Sequence, residues 1–165
     1  MPYMDYASYF FGELALYRYK MFEAHSIHLL KEMLDPWAKS YLLEKGFKNT
    51  VDRNYLALII DDRVTPLIRF SILNTLLMCR LKIRVQIFTT SIKLDEMRAL
   101  FRDLTDWIEI LPIEGINSVD KISYNELLKS QHFWSALTSQ KLLVFQTDSL
   151  LIEPIDFTLF KLLSL

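Results

Sequence analysis

Apolar residues change rhythm near residue 50, and the change divides the chain in two. Over 1–46 they recur at spacings of three, four and multiples close to 3.6 (Met21, Phe22, Ile27, Leu30, Leu34, Trp37, Tyr41), which predicts helix. Asp35-Pro36 predicts a break followed by a second helix, because Asp is a good N-cap and Pro suits the first helical position. Gly46 is placed to end that helix. Tyr3, Tyr6, Tyr9, Tyr17 and Tyr19 crowd the beginning of this region. Such a segment serves either as a surface for a partner or membrane, or as a helical layer packed on the rest of the protein. The second reading is preferred, since interfacial helices carry many Lys or Arg on their polar face.

From Tyr55 onward the pattern alternates between strand and helix. Tyr55-Leu-Ala-Leu-Ile-Ile60 is a continuous apolar run, as expected of a strand covered on both faces. Thr65-Pro66 opens a helix through Leu67, Phe70, Leu73, Leu76 and Leu77. Ile83–Phe88 is the second strand, and Ser91 caps a helix bearing Leu94, Met97, Leu100, Phe101 and Leu104. Trp107–Leu111 is the third strand, stopped by Pro112. Ser123-x-x-Glu126 has the form of a capping box, and the helix it starts carries Tyr124, Leu127, Leu128 and Trp134. Leu142–Phe145 is the fourth strand. Strands separated by helices imply right-handed crossovers and a parallel sheet. The expected architecture is a Rossmann-like α/β domain over 51–165, preceded by a helical segment over 1–50. The expected strand order is third, second, first, fourth, with Asp62 and Asp148 at the same edge.

Composition narrows the function. A chain of 165 residues with 52% apolar residues is enough for one core, and a formal charge of −1 offers no surface for nucleic acid. The single cysteine, Cys79, sits in an apolar helical pattern, which leaves neither a disulfide framework nor a Cys-rich metal site. Asp5 and Glu13 interrupt the N-terminus, against a signal peptide, and no apolar run is long enough for a membrane span. A cytoplasmic protein is expected. Hydrophobic and aromatic residues are nevertheless abundant for so short a chain, which implies either a generous core or apolar surface for a partner or for self-association.

The chemistry gathers where the strands end. The loops at their carboxyl ends are Asp61–Thr65, Thr89–Ser91, Pro112–Ser118 and Gln146–Ser149, the place where open α/β sheets bind ligands. Asp148 follows an apolar run and precedes another, and an acid there either holds a cation against a phosphate or caps a turn. Asp61-Asp62-Arg63 offers two acids and a guanidinium, although adjacent residues of an extended chain point opposite ways. Its acids equally suit the positive end of the following helix. Thr89, Thr90 and Ser91 suit a ribose or phosphate, or cap the next helix. His25, His28 and His132 form no ligand cluster in sequence, and with three glycines no phosphate-cradling loop can be written.

Three pieces of the sequence, in order, carry a resemblance. They are Asp61-Asp-Arg63 with the helix Leu67-Ile-Arg-Phe-Ser-Ile-Leu-Asn74, the segment Tyr124-Asn-Glu-Leu-Leu128 with Phe133-Trp134, and Leu143-Val-Phe-Gln-Thr-Asp-Ser149. From Tyr55 to about Phe157 the chain resembles a family of poorly characterised bacterial and fungal glycosyltransferases of the GT-A type. The resemblance implies a nucleoside diphosphate sugar as ligand. It implies that Gln146-Thr-Asp148 is the family's Asp-x-Asp motif with its first acid replaced. Asp148 then holds a divalent cation, Mn²⁺ or Mg²⁺, weakly or dispensably, because Gln146 brings no charge. By the same resemblance Asp61, Arg63, Thr89, Tyr124, Asn125 and Gln146 line the nucleotide pocket. Such families continue with an acceptor-binding half carrying an Asp-Tyr-x-Gly-Ala-Pro-Trp-like segment and a later acid. The expectation is therefore a nucleotide-binding half, truncated and with little activity of its own. Two other readings compete: a non-catalytic scaffold that binds a partner through its Tyr-rich helices, and a receiver-like signalling module suggested by Ile59-Ile-Asp-Asp62.

Overall fold

A computed structural model of the protein describes residues 6–42, 54–135, 137, 139 and 141–157. Gly46, Tyr3 and the apolar ending 160–165 lie outside these residues. The long helix α1 (Tyr6–Leu29) comes first, and after it β1 (Tyr55–Ile60), α2 (Pro66–Met78), β2 (Arg84–Thr90) and α3 (Leu94–Leu100). The chain continues through β3 (Ile108–Ile113), α4 (Lys121–Lys129), α5 (Gln131–Ser135) and β4 (Lys141–Val144). The four strands form one all-parallel sheet in the order β3-β2-β1-β4. This is the order the alternation predicts. It differs from the 2-1-3-4-5 order of flavodoxin-like folds, to which receiver modules belong, and so removes the receiver-like reading.

The pleat of β1 sorts its residues into two cores. Tyr55, Ala57 and Ile59 join Val85 and Ile87 of β2 in the larger core, which holds the apolar residues of α2 together with Met97 and Phe101. Leu58 and Ile60 join Phe88, Ile113 and Phe133 on the other face, where the Phe88 and Phe133 rings meet edge to face at 5.0 Å. Burying Phe133 contributes roughly 2 kcal/mol to docking α5 on the sheet. Cys79 is a fully buried free thiol, as its apolar setting predicts, and burial pushes it up to about 12.

The N-terminal helix does not break at Asp35-Pro36. Leu34, Asp35 and Ala38 all keep right-handed helical angles, and π-type turns at Leu30–Leu34 and Ala38–Leu42 flank the proline. A wider turn accommodates a residue that has no N–H and crowds the preceding carbonyl. The same turns keep Ser26, Leu30, Leu34 and Ala38, four residues apart, on one buried stripe. Met21 and Tyr41, by contrast, face solvent. Asp35 is not a cap either. Its carboxylate accepts from Arg69 Nε of α2 at 2.7 Å, while Arg69 also forms a two-point pair with Asp103 at 2.9 and 2.7 Å. Arg69 thus ties the N-terminal helix, α2 and the end of α3 together. Its bond holds the Asp103 carboxyl below the ordinary value.

Two further boundaries depart from expectation. β3 runs through Pro112 to Ile113 because it is an edge strand. The Trp107 carbonyl accepts from Val85, so alternate residues 109, 111 and 113 address β2 and the proline nitrogen points outward, where no donor is needed. Helix α4 is capped three residues before Ser123: Asp120 is the cap, accepting from the N–H groups of Ile122 and Ser123 at 2.9 and 2.8 Å. Ser123 occupies the third helical position of that capping box, and Glu126 pairs with Lys129 on the surface instead.

Candidate functional site

At the end of β1 the chain enters a short loop whose two acids diverge. Asp62 turns to one side and accepts the backbone N–H of Val119 at 2.8 Å, pinning the approach to α4 against the strand end. Asp61 turns to the other and is buried. Its Oδ1 accepts from the backbone N–H and from Nε of Arg63, each at 2.9 Å. Its Oδ2 accepts from Arg63 Nη2 at 2.6 Å and from the hydroxyl of Thr147. Burial raises the Asp61 carboxyl, but the bonds from Arg63 and Thr147 outweigh it and hold the group below its ordinary value. Arg63 is raised in return, chiefly by the Asp61 bond, with smaller attractions from Tyr19 of α1 and from Asp148.

The turn after β4 is built by reciprocal bonds. The Gln146 N–H donates to Ser149 Oγ at 3.1 Å and the Ser149 N–H to the Gln146 carbonyl at 2.9 Å. Phe145 and Thr147 are buried while Gln146 and Asp148 are exposed. Ser71 of α2 donates to the Thr147 carbonyl from below. Further on, Asn74 clamps Leu151 with both amide atoms at 3.1 and 2.9 Å, leading the chain back along α2. These polar residues inside an otherwise apolar helix face the chain after β4, not solvent.

Between the two turns and the start of α4 lies an open cleft of about 490 Å³. Its walls are Ile60, Asp61, Arg63, Val119, Asp120, Lys121, Tyr124, Asn125, Gln146 and Asp148. Asp61, Arg63, Tyr124, Asn125, Gln146 and Asp148 are therefore brought together from three separate stretches of sequence. Thr89 is not among the walls. It is fully enclosed at the end of β2, on the same side of the pleat as Ile87, and its hydroxyl is buried without a hydrogen-bond partner among the described residues. Ser91 opens a short 3₁₀ turn and provides no side-chain cap.

The cleft holds three acids in different states. Asp61 is saturated by its donors and Asp120 caps α4, its carboxyl held below the ordinary value by the Ser123 bonds. Asp148 is exposed and accepts no hydrogen bond from the described residues. Among the described residues no group of three or more metal-ligating side chains occurs. A hard cation here would find Asp148 and the Gln146 side-chain oxygen as lining protein groups and would have to take its remaining oxygens from water and phosphate. Sequence reasoning missed Thr147, Ser71, Asp120 and Lys121. Thr147 lay between two candidates, and its inward direction is set by the turn and by bonds to Asp61 and Ser71 that are distant in sequence. No family model matches the chain, and neither a curated protein nor a solved structure shows significant similarity to it.

Proposed function

We propose that the cleft binds a nucleoside diphosphate sugar as the donor site of a glycosyltransferase of the GT-A type, which transfers the sugar to an acceptor. One observation carries the reading: an exposed guanidinium, Arg63, and an exposed carboxylate, Asp148, line the same cleft at the carboxyl ends of neighbouring parallel strands. That combination suits a ligand bringing phosphate for the cation and a metal ion for the acid. Arg63 meets phosphate oxygens, and Lys121 adds a second positive charge. Asn125 and Gln146 offer amide groups to ribose hydroxyls, and the half-buried Tyr124 ring offers a face to a base. A divalent cation, Mn²⁺ or Mg²⁺, held by Asp148 neutralises the diphosphate when bound. With one carboxylate in place of two, its contribution is modest.

The competing reading is a non-catalytic scaffold. It is favoured by the apolar surface of α1, where Leu16, Tyr17 and Met21 are 50%, 62% and 55% exposed. No helix among the described residues is long and apolar enough to cross a membrane. Titration calorimetry with UDP and GDP separates the two readings. Weak binding that strengthens modestly with Mn²⁺ is expected; no binding of either nucleotide, with or without metal, leaves the scaffold.

A further inference from the structure

Asp61 lines the cleft yet is only 4% exposed, and both of its oxygens are occupied. A ligand or cation would have to displace Arg63 and Thr147 from a carboxylate already removed from water, a costly exchange. Thr147 is itself fixed from beneath by the Ser71 hydroxyl, across 76 residues of sequence. Within this turn Thr147 is buried while Gln146 and Asp148 are exposed and line the cleft, so tying Thr147 inward fixes the segment that presents its two neighbours.

We infer that Asp61 and Thr147 form a buried latch, with Asp61 a positioning residue that aims Arg63 and the Gln146–Ser149 turn at a common phosphate. The identity of that phosphate rests on the nucleotide reading; the latch does not. A guanidinium has five N–H donors in a planar fork. Asp61 takes the one on Nε and one on Nη2, and the remaining three lie at the outer edge of a side chain that is 60% exposed. Fixing one edge of a rigid fork sets the direction of the other, so less freedom is lost when an anion arrives. Lysine, a point charge on a flexible stem, offers no such second edge. The latch also spans the site: one end is the loop after β1, the other the turn after β4, and their separation is set by a single carboxylate.

The test combines amide and guanidinium NMR of the full chain with calorimetry, using UDP and inorganic pyrophosphate as probes. In the parent protein the Arg63 Nε–H should exchange with water at least about tenfold more slowly than that of the exposed Arg102, reflecting its bond to a buried carboxylate. Asp61→Asn should remove the protection and weaken binding of both probes about tenfold, the size of one charge-assisted hydrogen bond. Thr147→Val should weaken binding similarly, while Thr147→Ser, which keeps the hydroxyl, should restore it; a merely structural loss of the methyl would give the opposite ranking. Arg63→Lys keeps the charge beside Asp61 but not the fork, and it too should lose about tenfold in a variant whose amide spectrum shows it folded. Fast exchange at Arg63 in the parent overturns the latch, as does parent-level affinity in Asp61→Asn or Arg63→Lys. If the parent binds neither probe, the nucleotide reading falls and exchange alone decides: slow upholds the latch, fast overturns it.

Discussion

Asp61 and Asp148 stand at the carboxyl ends of neighbouring strands and line one cleft, yet their chemistry has been divided. Asp61 is buried beneath four donors, three from Arg63 and one from Thr147. Asp148 is exposed and accepts no hydrogen bond from the described residues. Both follow an apolar strand, so their local sequence settings are alike. The difference lies in what reaches them: a guanidinium two residues away folds back on Asp61, and a hydroxyl from β4's turn arrives from across the sheet. An acid at a strand end is available to a ligand only when its oxygens are not already spoken for. Asp62, bound to the Val119 N–H, makes the same point on a smaller scale.

The comparison predicts that the two acids respond oppositely to removal. Asp61→Ala should cost about 2 kcal/mol in urea unfolding, since it strands the buried Thr147 hydroxyl and dissolves the Arg63 pair. The figure is held down because Arg63 can turn into water. Equal stability of this variant and the parent would break the comparison at its strongest point.

Acid should expose the same group by another route. The folded-state value of Asp61 lies below that of the unfolded chain, so the unfolded chain takes up the proton first as pH falls. Its contribution is complete at neutral pH and is lost as pH drops through the folded value, below the ordinary carboxylate range. Between about pH 7 and about pH 2 the parent should therefore lose more stability than Asp61→Asn. Parallel losses would show that the carboxylate is not preferentially ionised by folding. Asp103, held down by Arg69, contributes in both proteins and cancels in the difference.

Smaller effects belong to the open acid. Gln146→Asp places a second carboxylate beside Asp148 and should raise the Mn²⁺-dependent component of UDP affinity about tenfold. An unchanged metal response would place the cation elsewhere. Asp148→Ala should alter stability by no more than about 0.5 kcal/mol, as for an exposed residue that accepts no hydrogen bond from the described residues. A larger loss would mean that the turn depends on this carboxylate.

Much of the frame was legible because it follows from strong, local signals. A continuous apolar run made β1 the central strand, Thr65-Pro66 marked the start of α2, and alternation implied the sheet order. What the sequence hid were contests between equally plausible local rules. Asp120-x-x-Ser123 and Ser123-x-x-Glu126 overlap as capping boxes, and the first wins because the Asp120 carboxylate takes two backbone donors at once. Asp35-Pro36 has the form of a helix start, but Arg69, distant in sequence, claims the Asp35 carboxylate while π-type turns absorb the proline. Pro112 resembles a strand terminator only if the strand is not at the edge. Within the site, six of the proposed residues line the cleft, whereas Thr89 does not, because the direction of a side chain at a strand end depends on the pleat of the whole sheet. The roles of Asp61 and Thr147 were invisible for the same reason: they exist only once β1 and β4 lie side by side.

The division of labour is tested most directly by the Mn²⁺ dependence of UDP affinity in Asp148→Ala, measured by calorimetry beside the parent. The parent should bind UDP more tightly when Mn²⁺ is present, and Asp148→Ala should bind it equally with and without the metal while remaining folded. The same Mn²⁺ enhancement in both proteins would contradict the assignment of Asp148 as the open acid of the cleft.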